Sequence, residues 1–207
     1  MKKRYKALFA ALLTGALAAG CLAGCGKMDG TAGGKMKKVT LNEVAHSIFY
    51  APQYAAIELG YFEEEGIDLT LVNGAGADKV MTALISGDAQ IGFMGSEASI
   101  YVSQEGADDP AVNFAQLTQR AGNFLVGRTA QPDFKWEDLK GKKVLGGRAG
   151  GMPQMVFEYI LKKNGLDPVN DLTIDQSISF GLTAAAFTSS AADYTIEFEP
   201  FATTLEM

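Results

Sequence analysis

From Val39 onward, short apolar runs alternate with stretches in which apolar residues recur every three or four positions. The first pattern belongs to strands, the second to helices that bury one face. Val39–Ala45 reads as a strand. Pro52 falls where the first turn of a helix tolerates a residue without an N–H, and that helix runs to Leu59 with Gly60 as its stop. Ile67–Val72 is a second strand. Ala77–Ser86 is a helix carrying the pairs Val80/Leu84 and Met81/Ile85, closed by Gly87. Gln90–Met94 is a strand, Ser96–Gln104 a helix, and Val112–Leu117 and Phe124–Val126 are two further strands. This alternation predicts an α/β fold with helices laid on a parallel sheet.

A second unit begins near Trp136, with a strand over Lys143–Gly146. In the helix that follows, Met152, Met155, Val156, Tyr159 and Ile160 fall at the spacing of one buried stripe. Gly165 ends it. Leu172–Asp175 is a strand, Leu182–Ser189 a helix, Tyr194–Ile196 a strand, and Pro200 opens a last helix. The phrase Gly66-Ile67-Asp68-Leu69 after one helix and Gly165-Leu166-Asp167 after another fit two lobes built on one plan.

The first residues follow a different rule. Lys2, Lys3, Arg4 and Lys6 precede an uncharged Ala/Leu-rich run, Ala7–Ala19, and then small residues. That is the order of a secretory signal peptide, assigned to residues 1–24. Its end, Leu22-Ala23-Gly24-Cys25, resembles the lipobox of bacterial lipoproteins, which makes Cys25 the lipidated first mature residue and residues 25–38 a Gly- and Lys-rich tether.

The charge changes with that assignment. The protein of 207 residues holds 18 Lys+Arg against 24 Asp+Glu, a net charge of −6. Four basic and no acidic side chains leave with residues 1–24, so 14 basic residues face 24 acidic ones, a charge of −10. Nucleic acid is excluded as a partner, because binding phosphates needs a concentrated basic surface. With one His and two Cys, a zinc site of several His or Cys ligands is excluded too, and no metal is expected.

In open α/β sheets, ligands bind beyond the carboxyl ends of strands. Four loops occupy such places: His46–Pro52, Asn73–Asp78, Gly95–Glu97 and Gly147–Pro153. The candidates they carry are His46, Ser47, Tyr50, Gly74, Gly76, Asp78, Ser96, Glu97, Arg148, Gly150 and Gly151, with Glu199 further along. Gly74-Ala75-Gly76 lacks the third Gly of a dinucleotide fingerprint and no G-x-x-x-x-G-K-[ST] occurs, so no nucleotide cofactor is expected. His46 reads equally as a hydrogen-bonding group in a cleft or as a His satisfied by backbone under the first helix. Its neighbour Ser47 sits in no G-x-S-x-G elbow, which removes a nucleophile reading. Phe49, Tyr50, Phe93, Trp136 and Phe180 lie in or near loops, where rings stack on a ligand or complete a core. Arg148 at a helix start reads either as the holder of a carboxylate, sulfonate or phosphate or as a surface Arg paired with a carboxylate. Glu97 and Glu199 suit a cationic or amide-bearing ligand.

The run Tyr50-Ala51-Pro52-Gln53-Tyr54-Ala55-Ala56-Ile57-Glu58-Leu59-Gly60-Tyr61-Phe62, with Leu84-Ile85-Ser86-Gly87-Asp88-Ala89-Gln90-Ile91-Gly92, Asp138-Leu139-Lys140-Gly141-Lys142-Lys143-Val144 and Glu199-Pro200, resembles substrate-binding proteins of ABC importers. The group is that of nitrate, sulfonate, taurine and thiamine-pyrimidine-precursor binders. The resemblance implies a periplasmic-binding-protein type II fold, with lobe 1 over residues 39–120, lobe 2 over 121–207, and a small molecule held between them. It implies an exported protein anchored through Cys25 to the outer face of the cytoplasmic membrane, or periplasmic. Its partners would be a permease and a separate cytoplasmic ATPase, and it would carry out no catalysis. Ligand contacts are expected at Ser47, Tyr50, Gly74–Asp78, Ser96, Glu97, the Arg148–Pro153 loop and Glu199. The ligand is either a pyrimidine- or flavin-like heterocycle or a sulfonate-type anion. The catalytic relatives of this fold in thiamine-precursor pyrimidine synthesis are the alternative; they use an active site with His and Cys, and no Cys follows position 25. The strands that complete lobe 2 and return to lobe 1 are not found before Met207. Lobe 2 is therefore expected to be incomplete, and the sequence to be truncated at its carboxyl end.

Overall fold

The structure is a computed structural model and describes residues 35–207. The signal segment, Cys25 and most of the tether lie outside the described residues. The first strand, β1, is Lys37–Glu43, so the last two residues assigned to the tether are already paired in a sheet. A short 3₁₀ turn, Ile48–Tyr50, leads into α1, Ala51–Glu58, with Pro52 in its first turn. After α2, Tyr61–Glu64, come β2, Ile67–Asn73, α3, Ala77–Ser86, β3, Ile91–Phe93, and α4, Glu97–Gln104. The second half holds β4, Asn123–Gly127, β5, Lys143–Leu145, α5, Met152–Lys163, β6, Thr173–Asp175, α6, Thr183–Ser189, β7, Tyr194–Phe198, and α7, Phe201–Glu206.

Two sheets result. The first is parallel, in the order β2-β1-β3, with Val39 opposite Leu69 and Leu41 opposite both Leu71 and Ile91. The second has the order β4-β7-β5-β6: β5 runs parallel to β6 and β7, and β4 runs antiparallel to β7. The α/β class read from the pattern is thus the class observed. The glycines expected to stop helices do so: Gly60, Gly87 and Gly165 all adopt positive φ, where a side chain is strained.

The larger core lies in the second half. Leu139, Val144 and Leu161 are wholly buried there, joined by Phe157, Leu172 and Ile196. Truncating a Leu of this kind costs about 2–5 kcal/mol. The helix that feeds this core does so by a face other than the expected stripe. Gln154, Phe157 and Leu161 are the buried positions of α5, while Tyr159 is exposed. Phe157 and Leu161, four residues apart, carry the larger side chains to the sheet. The expected stripe is turned elsewhere: Met152 and Val156 line a cleft, and Met155 Sδ lies 3.3 Å from the Tyr101 hydroxyl.

One expected strand is not formed. Residues 107–122 contain neither helix nor strand, and Val112 and Phe114 are 81% and 76% exposed. Apolar alternation marks a segment able to pair, but a strand exists only with a neighbour to hydrogen-bond, and no strand pairs with this segment among the described residues.

Candidate functional site

The ends of β1, β3, β5 and β7 and the turn after β6 converge on a cleft of about 1690 Å³. That exceeds the usual small-molecule pocket, because the unpaired residues 107–122 form one of its sides without filling it.

A row of five aromatic rings lines the cleft and joins the two halves. Tyr50 lies 4.4 Å from Phe93 and 5.3 Å from Phe49, centroid to centroid. Phe49 stacks on Phe198 at 5.8 Å, and Phe180 meets Phe198 edge-on at 5.3 Å. Four of the five were legible as loop aromatics. Phe198 was not, since it closes a strand; its position at a carboxyl end, just before Glu199-Pro200, is the signal that marks it. Trp136 takes the other course. It packs with Phe134 against the second core and does not line the cleft.

The loop carrying Phe49 and Tyr50 is held from below. Glu43, wholly buried at the end of β1, accepts hydrogen bonds from Gln53 Nε2 at 3.0 Å and Tyr54 Oη at 2.9 Å, with His46 Nδ1 3.0 Å from its other oxygen. Ser47 N donates to Tyr54 Oη at 3.0 Å. Ser47 Oγ donates to the Glu199 carbonyl and accepts from Phe49 N. Burial pushes the Tyr54 hydroxyl up to about 12, with Glu43 adding to the effect. Burial also raises Tyr50, helped by Tyr54, Glu43 and Glu97, so its phenol keeps its proton. Glu43, Gln53 and Tyr54 were not singled out in the sequence; a carboxylate at a strand end, followed ten and eleven residues on by Gln and Tyr at a helix start, was the available sign.

On the opposite side, Arg148 follows β5. Its Nε lies 3.2 Å from Asp78 Oδ1, and its Nη1 donates to the carbonyl of Ala149. Of its two sequence readings, the structure shows the pairing with a carboxylate. Glu97, 5% exposed, accepts the N–H of Met152 on Oε1 at 3.2 Å, while its Oε2 is buried with no hydrogen-bond partner. Gly95 leaves it room, since a Cβ there would push the Glu97 carboxylate from this place. Tyr101 Oη donates to the Gly150 carbonyl at 3.2 Å.

The structure therefore brings together Tyr50, Gly76, Ser96, Glu97, Arg148 and Gly151 as lining of the cleft. Asp78 borders a small adjoining cavity with Arg148. His46, Ser47, Gly74, Gly150 and Glu199 do not line it. His46 is turned to Glu43 and is largely exposed. Gly74 answers to packing, since a Cβ would meet Asn42 Oδ1 at 2.6 Å and Val80 Cγ2 at 2.8 Å. Glu199 is engaged with Thr203, accepting from its N at 3.1 Å and its Oγ1 at 3.0 Å.

The model of the family described as NMT1/THI5 like matches residues 47–204. The protein of Bacillus subtilis (strain 168) named Putative binding protein YtlA is 50% identical over 171 residues, which are 83% of this chain and 51% of that protein. The chain thus spans about half the length of the curated relative it matches. The alkanesulfonate-binding protein SsuA from Xanthomonas axonopodis pv. citri, solved bound to MOPS, is similar with a TM-score of 0.60 at 23% identity, over 82% of this chain and 57% of that one. A ligand-binding component of an ABC-type import system from Staphylococcus aureus is similar with a TM-score of 0.63 at 16% identity, over 83% and 57%. Both likenesses are of fold, and the fold is that of periplasmic binding proteins.

Proposed function

The chain belongs to the NMT1/THI5-like family, and on that premise we propose that it is the solute-binding component of an ABC importer. It captures a small molecule in the cleft and presents it to a permease served by a separate ATPase. The observation that carries this reading is the aromatic row from Phe93 to Phe180, which lines one cleft with side chains from both sheets. A flat solute stacked there is gripped by both halves at once, so occupancy and closure are coupled.

Of the two ligand classes, the cleft favours a pyrimidine- or flavin-like heterocycle over a sulfonate-type anion. Rings are plentiful, and Arg148 is engaged by Asp78. The catalytic alternative is disfavoured on the same geometry: the one His of the sequence faces Glu43, outside the cleft lining. The protein is exported and held at the outer face of the membrane through a lipid on Cys25.

Thermal unfolding of the full-length protein with a panel of heterocycles and organosulfonates tests the reading. A heterocycle that raises the melting temperature, and fails to in Tyr50→Ala, supports it; no shift from any solute counts against it. Membrane fractionation tests the anchor, since Cys25→Ala should move the protein to the soluble fraction.

A further inference from the structure

The second half offers two features that ordinarily hold anions. One is the Arg148 guanidinium. The other is the start of the twelve-residue helix α5, where Met152 offers a backbone N–H and Pro153 beside it has none. Both are met by carboxylates from the first half. Asp78, in the first turn of α3, lies 3.2 Å from Arg148 Nε, and Glu97, which opens α4, accepts the N–H of Met152, which opens α5. We infer that Asp78 and Glu97 are the specificity determinants of the cleft: they bar anions and leave it to neutral or cationic aromatic solutes that bring N–H donors. The inference rests on the cleft being a solute site and names the class that the site takes.

The physical argument is one of competition and of field. A sulfonate needs Arg148, and there it must share the guanidinium with Asp78, whose carboxylate already lies 3.2 Å from Nε. It must also enter beside Glu97, which is 5% exposed, where water screens a like charge poorly. A donor-bearing ring meets the reverse situation. Glu97 Oε2 is an acceptor without a donor. Glu97 lines the cleft, and a solute N–H would supply the donor that Oε2 lacks. The protein's own carboxylates thus stand in for the anion that Arg148 and the α5 terminus would otherwise take.

The test uses the full-length protein and two probes of one size and opposite charge, benzylamine and benzenesulfonate, titrated calorimetrically. The unaltered protein should bind benzylamine at least tenfold more tightly. Asp78→Asn and Glu97→Gln should each shift the ratio of the two affinities toward benzenesulfonate by tenfold or more, and adding Arg148→Ala to Asp78→Asn should abolish that gain. Asp78 is half exposed, so its substitution does not threaten the fold; circular dichroism checks both variants. Benzenesulfonate bound as well as benzylamine by the unaltered protein overturns the inference, even where Tyr50→Ala shows the cleft to be the site. Variants that gain nothing for benzenesulfonate overturn it as well. A panel in which no solute at all shifts the unaltered protein instead overturns the solute-binding reading itself, while a gain of benzenesulfonate in Asp78→Asn still supports the role of the carboxylates.

Discussion

Ser47 Oγ donates to the backbone carbonyl of Glu199 at 2.5 Å, across 152 residues of sequence. The loop after β1 is thereby fastened to the end of β7, the strand whose last residue, Phe198, stacks on Phe49. Ser47→Ala removes the donor and leaves a half-buried carbonyl without it. The expected loss is about 1–2 kcal/mol, read as a lower urea midpoint with an unchanged slope.

Glu43 and His46 share a hydrogen bond but not a burden. Glu43 is wholly buried and serves Gln53 and Tyr54 as well; the His46 side chain is 68% exposed. Glu43→Ala strands two donors of α1, Gln53 Nε2 and Tyr54 Oη, and should cost about 2–3 kcal/mol, as leaving buried donors unsatisfied does. His46→Ala removes a solvent-screened contact and should cost below about 1 kcal/mol. Chemical denaturation followed by circular dichroism separates the two. Equal losses would mean that His46, and not the Gln53–Tyr54 pair, anchors the carboxylate.

What was legible in the sequence was local. Helix stops at Gly60, Gly87 and Gly165 need only a backbone conformation, and strands such as Ile67–Asn73 need only alternation. The loops of the cleft followed from position alone, each coming after a strand. What was not legible depended on partners distant in sequence. Val112–Leu117 has the pattern of a strand but no neighbour to pair with among the described residues. On α5 two overlapping apolar faces compete, and only the surface under the helix decides that Phe157 and Leu161 go to the core while Met152 and Val156 go to the cleft. The sequence left Arg148 with two readings because its partner Asp78 is 70 residues away; helix start met helix start only once the two halves came together.

The aromatic row makes a graded prediction. Phe198 is buried and stacks on Phe49, so Phe198→Ala should cost about 3–5 kcal/mol as well as solute affinity. Phe49 is only half-buried, and Phe49→Ala should weaken binding of a heterocycle about tenfold or more with a smaller loss of stability. Trp136→Phe, in the second core, should leave binding unchanged. Titration calorimetry beside thermal melts reads both quantities. An effect of Trp136→Phe on affinity as large as that of Phe49→Ala would remove the row from the site.

Glu197 sets a pH dependence on stability. It is buried in β7, and burial raises its carboxyl above the usual 4.5 although Thr195 and Thr183 both donate to it, at 2.7 Å and 3.1 Å. A carboxyl raised in the folded state holds its proton after the unfolded protein has lost its own. The folded form is then the one with more bound protons, and stability falls as pH climbs from about 4.5 through the folded value. Glu197→Gln keeps the shape and an acceptor for one Thr but cannot ionise. It should therefore raise the melting temperature at pH 7, do little at pH 4, and flatten the profile between them. Melts of both proteins across that range decide it: a variant that loses stability equally at pH 4 and pH 7 would show that the threonine hydrogen bonds, and not the desolvated charge, govern this strand.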